Sequence, residues 1–94
     1  MLTMWLCFDK PNSMDLRMKT RPEHLDWIEK AVKSFKFAGP MLSDDGQTLK
    51  GSCIIAEFDS LEQSREVQQQ DPYQKAGLFE KVVVCPTKQM FPKV

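Results

Sequence analysis

The sequence predicts one α+β domain with its elements in the order β-α-β-β-α-β. Three observations predict it. Apolar segments with strand character occur four times, at residues 2–8, 37–42, 51–58 and 79–85. Segments with helical signatures separate the first strand from the second and the third from the fourth. Nothing helical lies between the second and third, which pair as a β-hairpin across Ser43-Asp44-Asp45-Gly46. This order is the ferredoxin-like arrangement. It implies a four-stranded antiparallel sheet of order 4-1-3-2 with both helices on one face.

The 94 residues suffice for one domain, with a core over about 2–86 and a tail over 87–94. Thirteen Lys and Arg balance thirteen Asp and Glu, and zero net charge argues against a nucleic-acid partner. No apolar stretch is long enough to cross a bilayer, so no membrane role is expected. Residues 1–8 lack a basic flank and meet Asp9 at once, unlike a signal peptide.

In the first strand Leu2, Met4, Leu6 and Phe8 share one face and Thr3, Trp5 and Cys7 the other. Both faces are largely apolar, which predicts a central strand covered on both sides. Asp9-Lys10-Pro11-Asn12-Ser13 ends it. Arg21-Pro22-Glu23-His24 then opens the first helix, with Pro22 in the first turn, where its missing N–H matters least. Leu25, Ile28, Val32 and Phe35 form its apolar stripe, flanked by Trp27 and Ala31. Glu23, Asp26, Glu29, Lys30 and Lys33 take the wet face.

Gly39-Pro40 inside the second strand marks an edge or a bulge. Ser60-Leu61-Glu62-Gln63 has capping-box spacing and starts the second helix, which runs to about Gln70. Leu61, Ser64, Val67 and Gln68 give it a weaker stripe. Asp71-Pro72-Tyr73 begins a short helical turn that Gly77 ends, and Pro86 closes the fourth strand. Helices cover only one sheet face, and the fourth strand carries Val82, Val83 and Val84 in succession. A second copy of the sheet is the simplest cover for the other face, so a homodimer is expected.

Cys7, Cys53 and Cys85 are odd in number, without CxxC spacing, and lie in apolar segments. They read as buried thiols of a cytoplasmic, reducing compartment. One histidine and scattered aspartates make no metal site by spacing, and no glycine loop of phosphate-binding type is present. No metal and no cofactor is expected.

The topology gathers Asp9, Arg21, His24, Asp44, Asp45, Ser52, Asp71 and Tyr73 at one end of the sheet. His24, in the first turn of its helix on this reading, would be kept neutral by the helix dipole and free to act as a base. Asp9 or Asp71 would orient it; the alternative is a surface or capping histidine. Arg17 and Arg21 could bind a carboxylate or phenolate oxygen, or else be solvated beside Glu23 or Asp15. Tyr73 and Trp5 could line a pocket, or belong to the core. Ser52 would bind substrate and, lacking a basic partner in the sequence pattern, would not be a nucleophile.

The stretches Arg21-Pro22-x-His24-Leu25, Ala38-Gly39-Pro40-Met41, Gly51-Ser52 with Ile55-Ala56-Glu57-Phe58, and Asp71-Pro72-Tyr73-x-x-Ala76-Gly77-Leu78-Phe79 resemble the YciI-like (YCII-related domain) proteins. Asp9 also matches, and the resemblance spans about residues 2–92. It implies a dimeric α+β barrel of ferredoxin-like subunits. It also implies a site built on a His and an Asp, carried over as His24 with Asp9 foremost and Asp71 close behind. One branch is similar to dehydrochlorinases of chlorinated hydroxyquinols, and related barrels include muconolactone isomerases. The short stretch between Pro40 and Gly51, with its own Asp44-Asp45, departs from the pattern. Three functions stay open: an acid–base enzyme of lyase or isomerase type on a small cyclic or phenolic substrate, a non-catalytic small-molecule-binding module, and a dimerisation domain.

Overall fold

In the computed structural model residues 1–93 are described, apart from the Val32 side chain. Val94 of the tail and the Val32 position of the apolar stripe lie outside the described residues. The elements are β1 (Leu2–Asp9), α1 (Met14–Ala31), a 3-10 turn (Val32–Ser34), β2 (Phe35–Leu42), β3 (Leu49–Glu57), α2 (Leu61–Gln69), α3 (Pro72–Lys75) and β4 (Phe79–Pro86).

The four strands form one antiparallel sheet in the order β2-β3-β1-β4, the predicted order seen from the other edge. Cross-strand pairs fix which residues share a face. Thr3, Trp5 and Cys7 stand opposite Ala56, Ile54 and Ser52, and all six are buried under the helices. Trp5 anchors this layer. Its ring stacks on Phe58 at 6.2 Å and meets Phe35 edge-on at 5.6 Å. Its indole N–H donates to Ser64 Oγ of α2 at 2.8 Å. Thr3 Oγ1 donates to Ala56 O, so the Ser64 hydroxyl donates to Thr3 Oγ1, and every group of this buried chain is satisfied.

Gly51 is required where β3 crosses β1. A Cβ there would overlap the carbonyl oxygen of Cys7, which is main chain and cannot yield. The opposite sheet face bears no helix. Met4, Leu6 and Phe8 share it with Ile55, Phe37 and Val83, and Phe37 is 56% exposed. Of the three cysteines only Cys7 is fully buried. Cys53 and Cys85 lie half-buried on this helix-free face.

The first helix departs from the sequence reading. It begins at Met14, and its first turn closes by Arg17 N–H donating to Ser13 O. Pro22 therefore sits inside the helix, where it removes one backbone bond. The fully buried residues of α1 are Arg17, Thr20 and His24, at spacings of three and four residues, while Leu16 and Trp27 pack partly buried against the core. Leu25, placed in the apolar stripe by the sequence, is 41% exposed. His24 is mid-helix, so the dipole argument for its neutrality does not apply.

The second helix agrees closely. Ser60 Oγ caps it by accepting from Gln63 N–H at 3.1 Å, and Gln63 Oε1 accepts from Asp59 N–H at 2.9 Å. Gly77, at φ +76°, ends the short α3, as the turn requires.

Candidate active site

The C-terminal end of β1, the N-terminal half of α1, the start of β3 and the α3 turn meet at one end of the sheet. Asp9 ends β1. Because α1 starts at Met14, Arg17 and His24, two turns apart, project from one side of it toward the sheet. Asp71 caps α3 with its Oδ1 accepting from Tyr73 N–H at 2.9 Å. The same Oδ1 lies 2.9 Å from His24 Nδ1. A carboxylate can only accept, so in the neutral ring Nδ1 carries the hydrogen and Nε2 keeps its lone pair. Asp71 is wholly buried and its Oδ2 has no partner among the described residues.

The histidine ring is held from its face as well as its edge. Tyr73 stacks on it at 3.8 Å and 15°. Arg17 lies over the Tyr73 ring, 4.6 Å from the centroid. Arg17 Nε and Nη2 donate to Asp9 Oδ2 and Oδ1 at 2.7 and 3.1 Å, a bidentate pair. Nη2 also donates to Ser52 Oγ at 3.0 Å. Burial alone would lower the Arg17 pKa, but the hydrogen bond and charge of Asp9 outweigh it and the net shift is upward. Burial pushes the Tyr73 phenol up despite the opposing charge of Arg17, so it stays protonated. Burial, with Asp71 and Asp9 nearby, pushes the Cys7 thiol up to about 12, which leaves it an inert thiol.

A cavity of about 280 Å³ opens between α1 and the β2–β3 hairpin. Leu25, Ile28, Ile54 and Pro40 give it an apolar wall. Arg17, Arg21, His24, Ser52 and Tyr73 line the rest. This is the size and mixture of a pocket for a single-ring molecule. A larger and more open groove of about 800 Å³ lies beside Trp27, Phe58 and Gln63, but its Lys30, Glu57 and Asp59 are exposed and solvated. Among the described residues no group of three His, Cys, Asp or Glu is placed to hold a metal ion.

The structure thus brings His24, Tyr73, Arg17, Ser52 and Arg21 to one cavity, with Asp71 buried behind His24. Two expectations are corrected. Asp9 does not face His24: Arg17 takes both of its oxygens, and Asp71 is the carboxylate on the imidazole. Asp44 and Asp45 stay out of the site. Both are exposed in the hairpin turn, where Asp45 accepts from Ser43 Oγ and Gln47 N–H. Those bonds hold the Asp45 pKa below its usual value. Ser52 does have a basic partner, but a guanidinium cannot take its proton. Trp5 belongs to the core. Sequence reasoning missed that Arg17 and His24 share the buried face of α1 with Thr20 between them in sequence, and their helical spacing was the available signal.

The YCII-related domain matches residues 1–88 of the chain. Protein YciI of Escherichia coli O6:H1 is 37% identical over 90 residues, covering 88% of this chain and 92% of that protein. An uncharacterized protein of Haemophilus influenzae is 32% identical over the same coverage. Among solved structures, 5-chloro-2-hydroxyhydroquinone dehydrochlorinase from Burkholderia phenoliruptrix AC1100, in complex with 2,5-dihydroxybenzoquinone, is similar with a TM-score of 0.89. It is 28% identical, and the match covers 100% of both chains. The fold argued from the strand order and the family argued from the motifs agree with these likenesses: the chain belongs to the YCII-related domain family.

Proposed function

We propose that the protein is a homodimeric enzyme that moves a proton on a small cyclic or phenolic substrate, by lyase, dehydrochlorinase or isomerase chemistry. One observation carries this reading: the imidazole of His24 is fixed by Asp71 on one nitrogen and borders a half-apolar cavity. Nε2 takes a proton from the substrate, and the electron pair left behind develops on a conjugated oxygen or expels a leaving group. Asp71 stabilises the imidazolium that results. Arg21, at the cavity wall, holds an anionic oxygen. In an isomerisation Nε2 returns the proton to another atom; in an elimination the proton is lost to water with the leaving group as its anion. The dehydrochlorinase named above, with a ring compound bound, supports a substrate of this kind.

The helix-free sheet face, with Phe37 and Phe8 exposed, supports the homodimer. No helix among the described residues is long and apolar enough to cross a membrane, and three free thiols suit a reducing, cytoplasmic setting.

The test is a panel of small hydroxyquinols, enones and lactones, followed by NMR for turnover and for exchange of substrate C–H with D2O. The wild type should process at least one of them, and His24→Gln should lose about 10²–10⁴-fold in rate. Binding without turnover, unchanged in His24→Gln, would instead establish a non-catalytic binding module.

A further inference from the structure

We infer that Ser52 and Arg17 form an oxyanion subsite deep in the cavity, distinct from Arg21 at its wall, and that the ligand presents a planar carboxylate or enolate oxygen to it. The inference rests on the proton-transfer reading above and names the chemistry of the group held there.

The direction of the Ser52 hydroxyl is what carries it. Ser52 Oγ accepts from Arg17 Nη2 at 3.0 Å, and a cation in that position can only donate. Ser52 is 5% exposed and donates to no acceptor among the described residues, yet it lines the cavity. Its hydrogen is therefore free for a ligand atom, and the guanidinium that polarises the oxygen makes it a stronger donor. Arg17 itself is committed on two sides. Nε and Nη2 are taken by Asp9 and Ser52, and the guanidinium also lies against Tyr73. Arg17 lines the same cavity as Ser52. Tyr73, kept as a neutral phenol, adds an O–H beside it.

Every fixed polar group on this wall can donate, and His24 Nε2 supplies the one strong acceptor. A neutral amide would leave donors unmatched, whereas an oxyanion uses them all. The Asp9–Arg17 pair holds the guanidinium rigidly, so little reorganisation is needed when the negative charge develops. Nε2 and the oxyanion donors border one small cavity. A ligand oxygen on Ser52 thus leaves the adjacent atom of the same ring within reach of the base.

The experiment compares benzoate and para-nitrophenolate with neutral benzamide by calorimetry on the full chain. The subsite predicts that at least one anion binds about tenfold or more tightly than benzamide, and which anion wins distinguishes a carboxylate from an enolate-like oxygen. Ser52→Ala should reduce that preference several-fold, lowering anion affinity more than benzamide affinity. Arg17→Lys, which keeps a cation for Asp9, should reduce it also. Arg21→Gln should weaken anion binding with little change in the Ser52 dependence. Equal binding of anions and amide by the wild type overturns the inference, as does an anion preference undiminished in Ser52→Ala. His24→Gln separates the two claims. If it keeps the anion preference and no compound is ever turned over, the subsite stands and the enzyme reading fails. If the wild type turns over a substrate without any anion preference, the subsite alone fails.

Discussion

Replacing Arg17 with Met isolates the energetic cost of building this site. The side chains of Arg17 and Asp9 are 5% and 6% exposed and share two hydrogen bonds. Met matches much of the arginine stem but leaves Asp9 as a buried, unpaired carboxylate beside the end of β1. It also takes the donor from Ser52 and the cation from the face of Tyr73. Breaking a buried pair from one side costs about 3–5 kcal/mol. A chain of 94 residues has a total stability of about 5–14 kcal/mol at the usual per-residue values. Arg17→Met should therefore remove a large share of the stability, and its urea midpoint should fall sharply. Asp9→Asn in the same background should restore part of it, because the buried charge is gone. Equilibrium urea unfolding followed by tryptophan fluorescence reports both. A loss below about 1 kcal/mol in Arg17→Met, or no rescue by Asp9→Asn, would refute the claim that Asp9 and Arg17 are a desolvated, mutually dependent pair.

Three other outcomes follow from the same contacts. Cys7 has its pKa raised from 9.0 to about 12 in the folded state, so the thiol contributes stability that is complete below pH 9.0 and is lost as pH rises toward about 12. That amounts to on the order of 4 kcal/mol, and Cys7→Ala should flatten the alkaline limb of a stability-versus-pH curve. Ser64→Ala leaves the buried indole N–H of Trp5 without an acceptor and should cost about 1–3 kcal/mol in urea unfolding. On the proposed homodimer, the wild type should scatter light as a dimer, and Phe37→Glu on the helix-free sheet face should scatter as a monomer without loss of its circular dichroism.

The architecture was largely legible because its signals are local. Alternation located the strands, Ser60 and Gln63 marked a helix start, and Asp71-Pro72 with Gly77 bracketed a short turn. The start of α1 was not legible, because Pro22 has the chemistry of a first-turn residue and sits mid-helix instead. The same error hid the buried position of Arg17 within the site. A helix that buries Arg17, Thr20 and His24 beside Leu16 and Trp27 shows little amphipathic pattern, since polar and apolar residues share its inward face. That mixture is itself a mark of function: polar side chains that fold inward must find partners, and here Arg17 and His24 find Asp9, Ser52 and Asp71. The choice between Asp9 and Asp71 for His24 needed the structure. Both aspartates lie at the same end of the sheet, and only the location of Arg17 decides which is already taken.

The most direct test of the account uses the single histidine. In protein with ¹⁵N-labelled imidazole, two-bond ¹H–¹⁵N spectra of the neutral ring should show the hydrogen on Nδ1 and a bare Nε2. Asp71→Asn, which can offer an N–H instead of a carboxylate oxygen, should disturb that tautomer, while Asp9→Asn should leave it in place. A ring protonated on Nε2, or one indifferent to Asp71→Asn, would contradict an imidazole held by Asp71 with its base turned to the cavity.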